Sequence, residues 1–321
     1  MFNECLQEIK VPGLIDKKQK ELLREIQTLT KRRLVSYLAN PANEISIING
    51  QDKAYIVSLV NSIPEDIQEL DFMVLSPGGF AEAVEAIVKT LRNRFKDIRF
   101  IVPNYAKSAA TMLCLSGDAL VMKDSAELGP IDPQIRTPQL EGPAAGILEG
   151  FEEIRQRVEK EGKLNGAYIP LLNKMDFALI KTCENAIAYG RTLVENWLKE
   201  YMFKGDPKAE EKAKQVVDFF GSKEHLSHGK PLFRDDIRKG CCLPIQDLED
   251  LGDAAGKIWE YHYRFEFIFL NNSAVAKIFH SDGEYMVIRG GAVQLMMGPP
   301  GPPVQPLARP TPKQESTPPS A

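Results

Sequence analysis

Long apolar runs are missing from this sequence, and no uninterrupted stretch approaches the roughly 20 residues that a helix needs to cross a bilayer. The chain begins Met-Phe-Asn-Glu-Cys and lacks the basic start and apolar segment of a secretory signal. These two absences predict a cytoplasmic protein without membrane insertion.

Cysteine and histidine are both scarce. The five cysteines, an odd number, are scattered over positions 5, 114, 183, 241 and 242, which argues against a disulfide framework. The four histidines stand at 225, 228, 262 and 280, and none falls between 81 and 224. The spacing of His225, His228 and the cysteine pair fits no usual zinc finger, so we expect no metal and no cofactor.

The chain also lacks an excess of charge of either sign. A net charge of −4 gives no basic surface for nucleic acid, so we expect no nucleic-acid partner. Apolar residues make up 43% of the 321 residues, which is enough to bury the core of one or two domains. Residues 298–321 hold nine prolines and no aromatic residue, and they are therefore predicted to form a disordered tail.

Two stretches combine a short apolar strand, a tight turn and a helical pattern. Ser-Pro-Gly-Gly at 76–79 follows one apolar run, and Ala-Lys-Ser-Ala-Ala at 106–110 follows the next. Backbone N–H groups are free at helix N-termini, and glycine lets a ligand approach the backbone closely. The N–H groups of Gly78 or Gly79 and of Ala109 are thus expected to converge beside the Ser108 hydroxyl. This layout predicts an acyl-transfer site with a nucleophile and an oxyanion hole.

The alternative is that each stretch is an ordinary turn or helix cap. The pairing of the two favours a functional site, as does the Gly-Pro-Ile-Asp-Pro-Gln segment that follows at 129–134. Periodicity alone predicts a run of β/α units with a parallel sheet and leaves the way in which they coil open.

Together these motifs resemble the Clp protease/crotonase superfamily. Within it they resemble the serine dehydrogenase proteinase family, soluble relatives of signal peptide peptidase. Weaker similarity runs from about residue 20 to 263 and includes Ser-His-Gly-Lys-Pro at 227–231. The resemblance implies an α/β fold, with a Clp protease/crotonase-like core of repeated β-β-α units and additional helices. It also implies a serine endopeptidase that forms an acyl-enzyme on peptide substrates and assembles into a homo-oligomer.

The general base is the open question, because the histidine of Clp-type proteases has no counterpart between 81 and 224. Ile131 stands near its place. This departure favours a Ser–Lys dyad, in which burial lowers the pKa of the lysine. The resemblance implies Lys174 as the best match and Lys181 as the second, because both precede Gly190-Arg191; either is otherwise a solvated helix charge.

Three more polar residues near the motifs have less direct roles. Lys107 adjoins the nucleophile in sequence and is expected to point away from it, toward a substrate carboxylate. Asp132 either orients the base or ties its loop to the backbone, the second being the expected use. His228 resembles a family feature and is expected to be structural.

The chain divides on this interpretation into four parts. Residues 1–43 form a helical extension with an amphipathic helix at 17–38, and residues 44–270 form the peptidase domain. Residues 271–297 are a C-terminal extension, followed by the proline-rich tail. Two other functions stay open: a crotonase-like acyl-CoA enzyme, which would hold a thioester enolate with the same N–H groups, and a catalytically silent interaction protein.

Overall fold

The structure, a computed structural model, describes residues 1–11, 13–138 and 140–290. The predicted proline-rich tail at 298–321 lies outside these residues. Within them, no helix has both the length and the apolar character that crossing a bilayer requires.

Eleven α-helices are found in the described residues. They are α1 (Phe2–Glu8), α2 (Leu14–Thr30), α3 (Asp52–Asn61), α4 (Ala81–Arg92), α5 (Ala109–Cys114), α6 (Ala144–Glu161), α7 (Ile169–Leu172), α8 (Phe177–Glu200), α9 (Ala209–Phe220), α10 (Arg234–Gly240) and α11 (Asp253–Asn271).

Twelve strands are found in the same part of the chain. They are β1 (Arg33–Ala39), β2 (Glu69–Leu75), β3 (Asp97–Val102), β4 (Tyr105–Ala106), β5 (Ala119–Met122), β6 (Glu127–Leu128), β7 (Gln134–Arg136), β8 (Glu141–Pro143), β9 (Leu232–Phe233), β10 (Ile245–Asp247), β11 (Val275–His280) and β12 (Tyr285–Arg289).

Seven of these strands form one sheet in the order β10-β5-β3-β2-β1-β11-β12. The strands from β10 to β1 pair in parallel, and β11 and β12 add an antiparallel edge. The central strands are apolar on both faces because helices cover both sides of a parallel sheet. Val35 and Tyr37 pack in a core shared with α3, α4 and α9, whereas Leu34 and Leu38 pack in a second core with α2 and α11.

The two smaller sheets lie around the predicted site. In one, β4 pairs in parallel with β6, and β6 pairs antiparallel with β9. In the other, the β7–β8 hairpin leads into α6, which packs against α8.

The helix predicted over residues 17–38 is wrong in its second half. Helix α2 ends at Thr30, and Lys31 has a left-handed φ of 57°. Residues 33–39 then form β1, which pairs with β2 from Arg33↔Leu70 to Leu38↔Leu75. Leucine spacing predicted a continuing helix there, but burial on both faces of this stretch favours a central strand.

The main sheet draws strands from both ends of the described chain. Strand β1 precedes the predicted peptidase domain at 44–270, and β11 and β12 follow it. The proposed domain boundaries stay a prediction.

Candidate active site

The Gly-Gly turn and the Ser108 turn are in direct contact. Gly78 has a φ of 103°, a conformation that residues with a side chain rarely adopt. A Cβ atom added to Gly78 would lie 2.6 Å from the Lys107 carbonyl oxygen and 2.8 Å from the Ser108 Cβ. It would also lie 3.2 Å from the Ala109 nitrogen. Only glycine allows this approach, which brings the two motifs together.

Ser108 itself has an unusual backbone. Its φ of 50° and ψ of −121° lie outside the ordinary regions for a residue with a side chain, and it stands immediately before α5. Such a conformation costs about 1–3 kcal/mol and persists only where the surroundings enforce it. The half-buried Ser108 hydroxyl forms no hydrogen bond with the residues that the structure describes.

The hydrogen bonds around the Gly-Gly turn distinguish its two amides. The Gly78 N–H donates to the Ser76 Oγ at 3.2 Å. Ile48 donates to the Gly78 carbonyl at 2.7 Å and accepts from the Phe80 N–H at 2.9 Å. In this parallel pattern the Gly79 N–H points away from Ile48.

Two amides of the site are therefore left available. Among the described residues, the Gly79 N–H and the Ala109 N–H meet no backbone acceptor. Ala109 is the first residue of α5, where an N–H has no partner inside the helix.

His228 and Asp132 form a pair that the sequence did not predict. The His228 Nδ1 lies 2.8 Å from the Asp132 Oδ1, and both side chains are partly buried. The second carboxylate oxygen of Asp132 accepts from the Gln134 side chain at 2.7 Å. A histidine that donates from Nδ1 to a carboxylate is held in the tautomer whose Nε2 accepts a proton.

The three-stranded sheet brings this pair to the same end as Ser108. Ala106 of β4 stands opposite Leu128 of β6, which stands opposite Leu232 of β9. Ser108 follows Ala106 by two positions, and Asp132 follows Leu128 by four. Strand β9 runs antiparallel to β6, so the residues that precede Leu232 lie at the same end of the sheet. His228 is one of them.

A buried threonine fixes the spacing between α5 and the Asp132 loop. The Thr111 Oγ1 lies 2.7 Å from the Ala106 carbonyl oxygen and 3.0 Å from that of Gly129, which share its single proton, and it accepts from the Gly129 N–H at 3.0 Å. The Ile131 N–H donates to the Phe220 carbonyl at 3.0 Å. The loop that carries Asp132 is thus held on both sides.

The two predicted lysine bases lie elsewhere. Lys174 is exposed and lines a cavity of about 510 Å³ between β8, α6 and α7, to which the two motifs do not contribute. Lys181 is exposed on α8 and pairs with Glu184 at 2.6 Å. Neither lysine is buried in the way that a lysine base requires, and neither contacts the Ser108 turn in the structure described.

Lys107 is occupied within the fold. Its Nζ pairs with the Glu127 carboxylate at 2.9 Å, and its side chain packs against Gly129. The predicted contact with a substrate carboxylate would require this ion pair to open.

A cavity of about 150 Å³ lies beside the His228–Asp132 pair and is bordered by Gly146, Glu149 and Ser222. Within residues 1–11, 13–138 and 140–290, no group of three or more histidine, cysteine or acidic side chains is arranged to hold a metal ion. The His225 Nε2 lies 2.7 Å from the Phe219 carbonyl oxygen.

The family model of the ClpP-like SDH-type serine proteinases matches residues 9–245. The chain belongs to this family. The family membership predicted from the motifs and the predicted ClpP-like α/β core are therefore both confirmed, and the family is one of serine proteases.

Curated relatives of this family member come from Methanocaldococcus jannaschii. The uncharacterized protein MJ1495 is 28% identical over 194 residues, which cover 60% of this chain and 59% of the relative. The uncharacterized protein MJ0137 is 33% identical over 103 residues, which cover 32% of this chain and 34% of the relative. The matches thus span about 59% or less of the relatives' lengths.

Two similar solved structures are variants of the 1510-N membrane-bound stomatin-specific protease. A serine-to-alanine variant has a TM-score of 0.27 and 16% identity, and covers 36% of this chain and 60% of its own. A lysine-to-alanine variant in complex with a substrate peptide has a TM-score of 0.37 and 13% identity; the match covers 62% of this chain and 70% of that variant's chain.

Proposed function

We propose that this protein is a serine peptidase that cleaves peptide bonds through an acyl-enzyme at Ser108, with His228 as the general base and Asp132 as its orienting carboxylate. The observation that carries the proposal is the 2.8 Å contact between His228 and Asp132 at the sheet end from which Ser108 also projects. The family's serine protease character supports the reaction class.

The first step transfers one proton. The His228 Nε2 takes the Ser108 hydroxyl proton while the Ser108 Oγ attacks the carbonyl carbon of the peptide bond. The imidazolium that results is stabilised by the Asp132 carboxylate. No hydrogen bond joins Ser108 to His228 among the described residues, so the proposal requires the two side chains to come together when a peptide binds, as catalytic groups do in enzymes whose hydrogen bonds form only with substrate.

The negative charge of the tetrahedral intermediate needs N–H donors. We assign this oxyanion hole to Gly79 and Ala109, whose N–H groups meet no backbone acceptor in the described part of the chain, rather than to Gly78, whose N–H donates to Ser76. Collapse of the intermediate breaks the C–N bond, and His228 gives its proton to the leaving amine. Water then attacks the acyl-enzyme. His228 takes a proton from this water and gives it to the Ser108 Oγ as the acyl group leaves.

The Ser–Lys dyad remains the competing hypothesis for the base. It requires Lys174 or Lys181 to reach the Ser108 hydroxyl and to lose solvent, and both are exposed. The contact of the partly buried Asp132 with His228 favours the histidine.

We also propose a cytoplasmic homo-oligomer that acts on polypeptides and does not bind nucleic acid. Exposed apolar side chains near α7 and α8 support a subunit interface, among them Leu171 at 52% and Phe177 at 73% exposure. Such side chains are stabilised when a neighbouring subunit covers them.

Fluorophosphonate labelling tests the proposed base. We expect wild type to be labelled, Ser108→Ala to be unlabelled, and His228→Gln to be labelled about 10²- to 10⁴-fold more slowly, because a positioned base contributes that much. His225→Gln is the matched control, since His225 lies in the same loop and bonds only to a backbone carbonyl. It should be labelled at the wild-type rate.

The lysine variants separate the two hypotheses. Lys174→Ala and Lys181→Ala should both be labelled like wild type. If one of them is inert while His228→Gln reacts normally, the dyad is correct and the histidine assignment is wrong. A folded wild type that never reacts would contradict the peptidase proposal, and coenzyme A binding would then test the acyl-CoA alternative.

A further inference from the structure

We propose that a buried chain of polar contacts, from Lys277 through Asp52 and Tyr37 to Ser76, positions the Gly-Gly turn so that the Gly79 N–H faces the Ser108 side. The catalytic consequence of this inference rests on the proposed function, whereas its structural part does not. We call these four residues the positioning chain: Lys277, Asp52, Tyr37 and Ser76.

The positioning chain begins at a buried ion pair. The Lys277 Nζ lies 2.8 Å from each carboxylate oxygen of Asp52, and both side chains are 2% exposed or less. Burial lowers the pKa of Lys277, and the Asp52 charge opposes that effect. A buried ion pair contributes little net stability compared with apolar packing, so its presence calls for another explanation.

The ion pair is connected to the Gly-Gly turn through two hydroxyl groups. The Tyr37 hydroxyl donates to the Asp52 Oδ2 at 3.0 Å, and a contact with the Ser76 hydroxyl lowers the pKa of Tyr37 against the larger effects of burial and of the Asp52 charge. Burial, and then the Asp52 charge, raise the pKa of Tyr37 well above its ordinary value, so this hydroxyl keeps its proton as a donor. The Ser76 Oγ in turn accepts the Gly78 N–H at 3.2 Å.

A second arm reaches the same turn through residues 47–49. The Lys277 Nζ donates to the Ile47 carbonyl at 2.7 Å, and the Asn49 N–H donates to the Asp52 Oδ2 at 2.9 Å. Ile48, between these two anchors, makes both backbone hydrogen bonds that flank Gly79. The ion pair therefore holds the turn from its side-chain arm and from its backbone arm.

The geometry explains why the turn needs such support. Gly78 and Gly79 both have positive φ, and glycine loses more conformational freedom on ordering than any other residue. A turn that samples other conformations would present the Gly79 N–H to the oxyanion only part of the time. Fixing the Gly78 N–H on Ser76 leaves Gly79 as the available donor.

The chain offers a matched control on the other face of β1. Tyr261 is also buried, and its hydroxyl bonds to the Ser36 Oγ at 3.0 Å and to the His280 Nδ1 at 2.8 Å. Like the positioning chain, this cluster contains a buried tyrosine and a serine, but neither of these two hydrogen bonds leads to the Gly-Gly turn. Comparing the two clusters separates positioning from general stability.

The experiment compares Tyr37→Phe and Ser76→Ala with Tyr261→Phe and Ser36→Ala in the full-length protein. Backbone amide exchange at Gly78, followed by NMR, reports on the turn without requiring activity. We expect exchange about fivefold faster in Tyr37→Phe and Ser76→Ala than in the controls, after correction for global stability, since one hydrogen bond is worth about 1 kcal/mol. For peptide hydrolysis, kcat should fall about tenfold while KM stays unchanged, because the oxyanion forms only in the transition state.

The double variant Tyr37→Phe/Ser76→Ala should lose no more than the larger single effect, because the two residues act in one chain. Gly78 exchange and kcat in Tyr37→Phe equal to those in Tyr261→Phe would overturn the inference. If exchange responds as expected but wild type neither hydrolyses peptides nor reacts with fluorophosphonate, the proposed function fails while the structural role of the positioning chain stands.

Discussion

Single residues of the candidate site are constrained by backbone contact more than by side-chain chemistry. Gly79 has a φ of 156°, and a Cβ atom there would lie 2.2 Å from the Ile48 carbonyl oxygen and 2.4 Å from its nitrogen. Both are backbone atoms, which cannot swing aside as the end of a side chain can. Ser108 differs from Gly79 in that it has a side chain and nevertheless adopts a positive φ.

We therefore predict that Gly79→Ala is strongly destabilising and abolishes labelling at Ser108. The methyl group would displace Ile48 and break the hydrogen bonds on either side of Gly79, at a cost of about 3 kcal/mol or more. Urea unfolding measures the free energy. Gly205→Ala is the control, because Gly205 has a φ of 80° with nothing within 4 Å of its added Cβ. That variant should lose only the strain of about 1–2 kcal/mol, and equal losses in both would contradict the role of close contact.

Among the elements, the parallel strands are joined by charge as well as by apolar packing. Asp71 of β2 is fully buried and accepts from the Arg32 Nε at 2.8 Å and from the Arg99 Nη2 at 2.7 Å. Arg32 directly precedes β1, and Arg99 lies on β3, so one carboxylate ties together three neighbouring strands. Glu69, on the same strand, contacts Arg32 at 3.2 Å but is 61% exposed.

Asp71→Asn should lower the free energy of unfolding by about 3 kcal/mol, because it leaves two partly buried guanidinium groups without their shared negative charge. Glu69→Gln should change it by less than about 1 kcal/mol, since exposed ion pairs contribute little. Denaturant unfolding of both variants measures the difference. A similar loss in the two would show that burial does not decide the strength of these ion pairs.

In the molecule as a whole, acid stability depends on a histidine that folding keeps neutral. Burial lowers the pKa of His280 to about 3, the charge of Lys20 adds to this effect, and Asp282 opposes it. In an unfolded chain histidine titrates near 6.5. Between these values the unfolded state binds more protons, so the free energy of unfolding falls as the pH drops below about 6.5.

Lowering the pH from 7 to 5 should therefore remove about 2 kcal/mol of stability through His280 alone. In His280→Asn the same drop in pH should lower the free energy of unfolding by about 2 kcal/mol less than it does in wild type. This difference does not depend on how stable the variant is at pH 7. Urea unfolding at both values tests this. An unchanged dependence on pH in the variant would mean that other groups control acid unfolding.

Much of the fold and part of the site can be predicted from the sequence. The strand–turn–helix units around 76–79 and 106–110 are set by local periodicity, and the family follows from motifs that lie close together in the chain. Ser108 stands out for the same reason. Its neighbours within a few positions already predict a helix N-terminus and a close glycine turn.

Only the tertiary structure decided which distant groups meet. His228 contacts Asp132, 96 positions away in the sequence, because β9 pairs antiparallel with β6. The spacing of neighbouring residues does not predict which strands pair or in what register. Strand β1 also depends on tertiary structure. The spacing of its leucines is compatible with a helix, and only its burial on both faces in the sheet favours a strand. Gly79 is distinguished from Gly78 only by Ser76 and Ile48. Local pattern thus determined the Ser108 turn, whereas long-range pairing determined its surroundings.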